Sequence, residues 1–224
     1  MEFSVKKFGG YINSQNDLIG KLYNVCDDFS YTFSSGTYFL GGEIDCGAWS
    51  FVCSLLDGAD RRLINYEEIT LNGRPVDLSE INKLTFYVGQ YKVYRKKSFK
   101  SVVKKALKKS KIDCTFSDIC KKFAIDEYFS DREMCYLGSR IWRFSSSIGI
   151  AANKKIIVFP WMSEKKFKFD FFDIFRILNQ EDVITIVPCS EKIIMPNEEK
   201  FKFVKMDALF KSVYDEQPLD DYLE

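Results

Sequence analysis

Thr37-Tyr38-Phe39-Leu40 runs directly into Gly41-Gly42-Glu43-Ile44-Asp45-Cys46-Gly47, and Ala48-Trp49-Ser50-Phe51-Val52-Cys53-Ser54-Leu55-Leu56 follows. The first run is aromatic and β-branched and reads as a short strand. In the last, Phe51, Val52, Leu55 and Leu56 recur at helical spacing, and Gly58 stands where a helix C-cap belongs. The unit is therefore strand, glycine-containing loop, helix. Just upstream, Tyr31-Thr32-Phe33 meets Ser34-Ser35-Gly36, a turn signal, and the first 36 residues otherwise offer only short alternating runs.

Downstream, Glu68-Ile69-Thr70-Leu71 reads as a strand, and Asn72-Gly73 as a hairpin turn, because both positions tolerate positive φ. Asp77 to Ile81 predicts one helical turn, and Leu84 to Val88 another strand. Lys92 to Lys111 holds ten basic residues, and no acid occurs between Glu80 and Asp113. Phe99, Val102, Val103, Ala106 and Leu107 share one helical face there, and the pattern predicts helix to about Phe129. Ile141–Ala152 and Phe171–Leu178 are further helices. Lys155–Phe159 and Val183–Val187 are continuous apolar runs, as strands buried on both faces require, the second stopped by Pro188. Strands and helices alternate through the second half, so the fold class is α/β with a mostly parallel sheet.

Composition bounds the function. The chain has 224 residues with 33 Lys+Arg against 32 Asp+Glu, which excludes nucleic-acid binding driven by bulk charge. It contains no histidine, so no Ser-His-Asp triad, Cys-His pair or HExxH zinc site is available. The seven cysteines are odd in number and form no CxxC, which fits reduced thiols better than a zinc ribbon or a disulfide framework. The start, Met1-Glu2-Phe3-Ser4-Val5-Lys6-Lys7, carries no leader-like apolar stretch, and no apolar run approaches the roughly 20 residues of a membrane span. The expected location is cytoplasmic.

Taken in order, these segments resemble the ATP-binding subunit of ABC transporters, a P-loop NTPase fold, over most of residues 1–200. Gly41 to Gly58 stands at the family's phosphate loop and its helix. Ile69-Thr-Leu-Asn-Gly73 is similar to its I-x-L-x-G hairpin, and Phe86-Tyr-Val-Gly-Gln90 to the strand that ends in the Q-loop glutamine. Leu137-Gly-Ser-Arg-Ile141 falls at the signature segment, Lys155–Phe159 at the Walker B strand, and Ile184–Val187 at the strand before the switch histidine. The resemblance implies a single P-loop NTPase-like domain over 1–224 with a helical subdomain at about 91–150; Asp215, Glu216, Asp220, Asp221 and Glu224 make its tail, about 213–224, acidic.

The residues at the chemical positions differ from the family pattern. A phosphate loop GxxxxGK[ST] uses backbone amides to cradle phosphate, its Lys to neutralise it and its hydroxyl to hold Mg²⁺. Gly42 and Gly47 have the GxxxxG spacing, after which Ala48 takes the Lys position and Trp49 the Ser/Thr position. Counted back from Gly58, Trp49 takes the Lys position and Ser50 the hydroxyl. Both registers stay open, and both lack the lysine, since none occurs between Lys21 and Lys83. Glu43 and Asp45 add negative charge to the loop; they read as helix-capping or anion-repelling residues rather than an acid–base pair. The signature place holds Tyr136-Leu137-Gly138-Ser139-Arg140. Family spacing puts Pro160 on the Mg²⁺-binding Asp, Trp161 on the catalytic Glu, and Cys189 or Ser190 near the switch His.

The resemblance thus implies a degenerate, non-hydrolysing ATP-binding-cassette subunit on the cytoplasmic face of a transporter. It would contact a transmembrane subunit and pair with itself or with an active ATPase subunit. ATP is the implied ligand, held weakly or not at all. The residues carried over as nucleotide-facing are Gly42, Gly47, Trp49, Ser50, Gln90, Ser139 and Arg140, and none is assigned a catalytic or metal-binding role. Trp49 reads equally as a stacking or plugging side chain and as core. Phe8 or Tyr11 is a weaker candidate for adenine stacking. The rival reading is a nucleotide-free scaffold or regulatory module. A different enzyme in the glycine loop would need a base beside Cys46, and no histidine exists. The basic stretch has three readings: a solvated helix face, contact with anionic lipid, or nucleic-acid binding, the last disfavoured for want of an aromatic platform.

Overall fold

The computed structural model describes residues 1–13, 23–42, 47–56, 64–89, 96–163, 169–190 and 196–206. Two sheets face each other across a helix. The antiparallel sheet is built on β1 (Glu2–Asn13) and β2 (Tyr23–Ser34), with β5 (Glu68–Leu71) and β6 (Arg74–Pro75) beyond β1 and β4 (Ile64–Asn65) also paired to β1. The second sheet is parallel throughout, in the order β10-β3-β9-β8-β7, with β3 (Gly36–Gly42), β7 (Thr85–Tyr87), β8 (Ile156–Val158), β9 (Ile184–Ser190) and β10 (Phe201–Lys205).

Between the sheets lies α1 (Ala48–Ser54), and alternation along the strands divides the core. Tyr38, Leu40, Ile156, Val158, Ile184 and Ile186 point one way, onto α1 and the inner face of the antiparallel sheet. Phe51 is the hub, its ring 5.2 Å from Phe8, 5.0 Å from Phe29 and 5.9 Å from Phe33. Phe39, Ile157, Phe159 and Val187 point the other way, into a core shared with the helical layer. That layer comprises α3 (Phe99–Ser110), α4 (Phe116–Lys122), α5 (Ile141–Ala151) and α6 (Phe169–Leu178). A short α2 (Leu78–Leu84) leads into β7 and is capped by Asp77, whose carboxylate accepts from the Ser79 and Glu80 amides. Burial on both faces is why β8 and β9 read as unbroken apolar runs. Helix α5 comes so close to the sheet that a Cβ on Gly149 would sit 2.9 Å from Ile157 and 3.0 Å from Phe86.

Several expectations hold. The strand–loop–helix unit appears as β3 and α1, and Asn72 and Gly73 both take positive φ (51° and 74°) between β5 and β6. Gly58 lies outside the described residues. Others need correction. Helix does not run from residue 99 to 129. Lys111 takes φ 57° and ends α3, and Thr115 starts α4 with a capping box to Asp118; a left-handed residue followed by a capping residue outweighs continuous propensity. The turn at Asp77 runs on to Leu84, which shortens the next strand. Pro188 does not stop β9, which continues to Ser190. Ile184 N–H donates to Lys155 O and Pro188 O accepts from Met162 N, so Pro188 addresses the β8 side, past the last residue of β8, where no ladder donor is required. The amino-terminal runs form one long hairpin, with register shifts between Val5 and Gly10 that break simple alternation. Among the described residues no helix is long and apolar enough to cross a membrane.

Candidate functional site

In an open parallel sheet, the carboxyl ends of the strands form the natural ligand crevice. Register brings the motif positions together there. Gly41 pairs with Cys189 and Gly42 with Ser190 across β3 and β9, and Met162 bridges to Cys189 beyond the end of β8. Phe159 N–H donates to Ile186 O and Met162 N–H to Pro188 O, so Pro160 and Trp161 form a two-residue excursion at the strand ends. The glycine loop, the segment after β8 and the end of β9 are therefore neighbours, as the motif order anticipates.

Several of the described side chains at this edge are apolar or turned inward. Gly47 takes φ 80° at the start of α1, a conformation that favours glycine, and no side chain caps the helix. Ala48 and Ser50 are buried, and Ser50 supplies the carbonyl that accepts the Ser54 hydroxyl. Trp49 is half-buried and packs on Tyr87, with ring centroids 6.1 Å apart at 55°, on the rim of the inter-sheet core. Beside the loop, the Phe203 ring lies across Gly41, where a Cβ would meet it at 2.0 Å. Trp161 buries its indole Nε1, which donates to nothing among the described residues. Cys189 and Met162 are fully buried. Among the described residues no three of Cys, Asp and Glu gather as metal ligands. Glu43, Asp45, Cys46, Tyr11 and Gln90 lie outside the residues, or the side chains, that the structure describes. Phe8 is buried in the inter-sheet core, edge-on to Phe51.

Arg140 belongs to another layer. Leu137 and Phe144, on either side of it, pack in the core on the helical face of the sheet. A 3-10 turn, Gly138–Arg140, precedes α5, with Gly138 at φ 56°. The Arg140 guanidinium is exposed and lies 4.4 Å from the centroid of the Phe129 ring. Arg132 covers Tyr128 at 4.7 Å and Phe129 at 5.3 Å, and bonds the Tyr128 hydroxyl at 2.7 Å. Tyr128 and Tyr136 are 69% and 72% exposed, unusual for rings of that size. This outward cluster of two guanidiniums and the rings of Tyr128 and Phe129 was not anticipated from sequence; the Tyr128/Arg132 spacing of four was its one visible signal. The Ser139 side chain lies outside the description.

Solved structures with this arrangement are ABC-transporter ATP-binding subunits. One titled as an ATP-binding subunit of an ABC transporter superposes with TM-score 0.63 at 10% identity, over 93% of this chain and 87% of its own. An ABC-transporter-type ATP-binding protein from Pyrococcus furiosus gives 0.62 at 13% identity, over 92% and 98%. A dimeric bacterial ABC transporter cassette gives 0.57 at 12%, over 83% and 87%. The chain has the ABC ATPase fold. At these identities the likeness is one of fold, an α/β P-loop NTPase-like core. No protein-family profile matches the chain, and no curated protein matches it.

At the positions aligned above, Ala48, Trp49 and Ser50 supply no ammonium, and Pro160 and Trp161 supply no side-chain oxygen.

Proposed function

We propose that this chain is a non-hydrolysing ABC-type subunit of a membrane transporter complex, working on the cytoplasmic face beside a transmembrane subunit. The observation that carries the reading is the strand-end crevice, where the fold is kept and the lysine and both carboxylates of phosphoryl transfer are replaced by Ala48 or Trp49, Pro160 and Trp161. Trp49 fills space beside Tyr87 that would otherwise border the phosphate loop. With no lysine in the loop and neither Pro160 nor Trp161 able to hold Mg²⁺, the chain's own loop gives ATP little to bind.

Segment 91–150 serves as the helical subdomain and carries the outward Arg140 segment. In a pair, Arg140 and Ser139 face a nucleotide held by the other subunit, where a guanidinium can grip phosphate through two hydrogen bonds. The pair is with an active ATPase subunit or with a second copy. Calorimetric titration of Mg²⁺-ATP into the purified chain tests the reading: no saturable heat is expected at millimolar nucleotide, and micromolar binding contradicts it.

A further inference from the structure

Helix α3 divides its surface without compromise. Phe99, Val102 and Val103 are buried, with Ala106 and Leu107 packed beside them in the core on the helical face of the sheet. From Phe99 to Lys111 the exposed positions are Ser101, Lys104, Lys105, Lys108, Lys109 and Lys111. Lys100 adds a partly covered charge, 3.9 Å from Asp131. Among the described residues no carboxylate pairs with Lys104, Lys105, Lys108, Lys109 or Lys111. Lys154 stands close by: burial, and then the Lys109 charge, holds its ammonium below the ordinary lysine value.

Helix energetics do not account for this pattern. The helix dipole favours cations only in the last turn, which explains Lys108 and Lys109 but not Lys100, Lys104 and Lys105. The pairs Lys100/Lys104, Lys104/Lys108 and Lys105/Lys109 are like charges at i,i+4 and destabilise the isolated helix. The chain as a whole is almost neutral, so the cations are segregated rather than abundant.

We infer that the lysine face of α3 docks on an anionic bilayer surface. Its chemistry selects that partner. Lysine is a solvated point charge, suited to a diffuse layer of headgroups, whereas reading bases or gripping a single phosphate favours arginine and stacking rings. The exposed face has neither arginine nor an aromatic residue. It has no apolar side chain to insert, so the attachment is electrostatic, reversible and salt-sensitive. The inference stands apart from the nucleotide-site reading, since this helix packs in the core on the face of the parallel sheet opposite α1.

The test is flotation of the full chain with vesicles of phosphatidylcholine alone, or with about a third phosphatidylglycerol, at low and physiological salt. The wild type is expected to float with anionic vesicles only, and to be released as salt rises. Lys104→Glu with Lys108→Glu should lower partitioning about tenfold or more, whereas the charge-matched pair Lys121→Glu with Lys202→Glu, off the helix, should change it less than about twofold. Lys104→Gln with Lys108→Gln gives an intermediate loss, and circular dichroism melting verifies that each variant is folded. Equal loss in the two Glu pairs, no preference for anionic vesicles, or preferential capture of a single-stranded RNA oligonucleotide at the same salt would overturn the inference.

Discussion

The residues that flank the glycine loop, 41–42 and 47–50, and the segment from Tyr128 to Arg140 are the two places proposed to face nucleotide, and their described side chains are built in opposite senses. The first is turned inward. Ala48 and Ser50 are buried, Trp49 lies on Tyr87, and Phe203 lies on Gly41. The second is turned outward, with Arg132 and Arg140 stacked on Phe129 and with Tyr128 and Tyr136 in solvent. Packing and chemistry are thus separable at one fold position. Gly47 serves as the turn that delivers α1 to the core, where Ala48, Ser50 and Phe51 are buried. The outward side chains Tyr128, Arg132, Tyr136 and Arg140 stand on a segment whose Met134 and Leu137 pack in the core, and they are groups that a partner or its ligand can use.

Substitutions at the two segments should therefore read out differently. Trp49→Ala should give the largest effect: loss of a half-buried ring from the inter-sheet core costs about 2 kcal/mol, or roughly 4–8 °C in melting temperature. A melting temperature unchanged by this substitution would mean the ring belongs to a ligand and not to the fold. Arg140→Ala removes an exposed cation–π contact and should move the melting temperature by no more than about 2 °C. The same change should lower phosphate release by an active ATPase subunit paired with the chain, and a paired subunit indifferent to Arg140 would remove the outward segment's proposed role.

The smallest effect belongs to the opposite edge of the parallel sheet, away from both segments. There Asp182 accepts from the Ser35 hydroxyl and faces the amino-terminal ammonium at 3.3 Å, joining the two sheets. The Ser35 hydrogen bond, and then that ammonium, hold its carboxyl below its usual value near 3.8. A depressed carboxyl stabilises the fold above its unfolded value, and the contribution is lost as pH falls through the folded value. Melting temperatures of wild type and Asp182→Asn should therefore differ slightly at neutral pH and converge as pH falls through the lowered carboxyl value. A gap that widens in acid would reverse the sign.

Much of the framework was legible because it is periodic. The strand–loop–helix unit, the Asn72-Gly73 turn and the apolar runs at 156–158 and 184–187 each signal through local chemistry. What escaped depends on partners distant in sequence. The β1–β2 hairpin is masked by its register shifts, and β10, a short alternating run, becomes a strand only by adding to the edge at β3. Pro188 looks like a terminator until the end of β8 is known to fall short of it. At the site, sequence spacing named Gly42, Gly47, Trp49 and Ser50, and the register places Gly41, Gly42 and the segment after β8 at one edge. Whether Trp49 faces a ligand or the core was not readable, because a tryptophan satisfies both; its contact with Tyr87 is tertiary. Arg140 was visible by position, but its support on Phe129 was not.

The most direct measurement is the Mg²⁺-ATP titration by calorimetry, run in parallel on the wild type, Ala48→Lys and Trp49→Lys. An inward-turned loop without phosphate-binding groups predicts no saturable heat from the wild type at millimolar nucleotide. Binding that appears only when a lysine is restored would place the deficit in that one residue, consistent with a crevice whose shape is intact. A micromolar dissociation constant for the wild type itself would contradict the account, because the loop would then be holding nucleotide without the groups held here to be necessary.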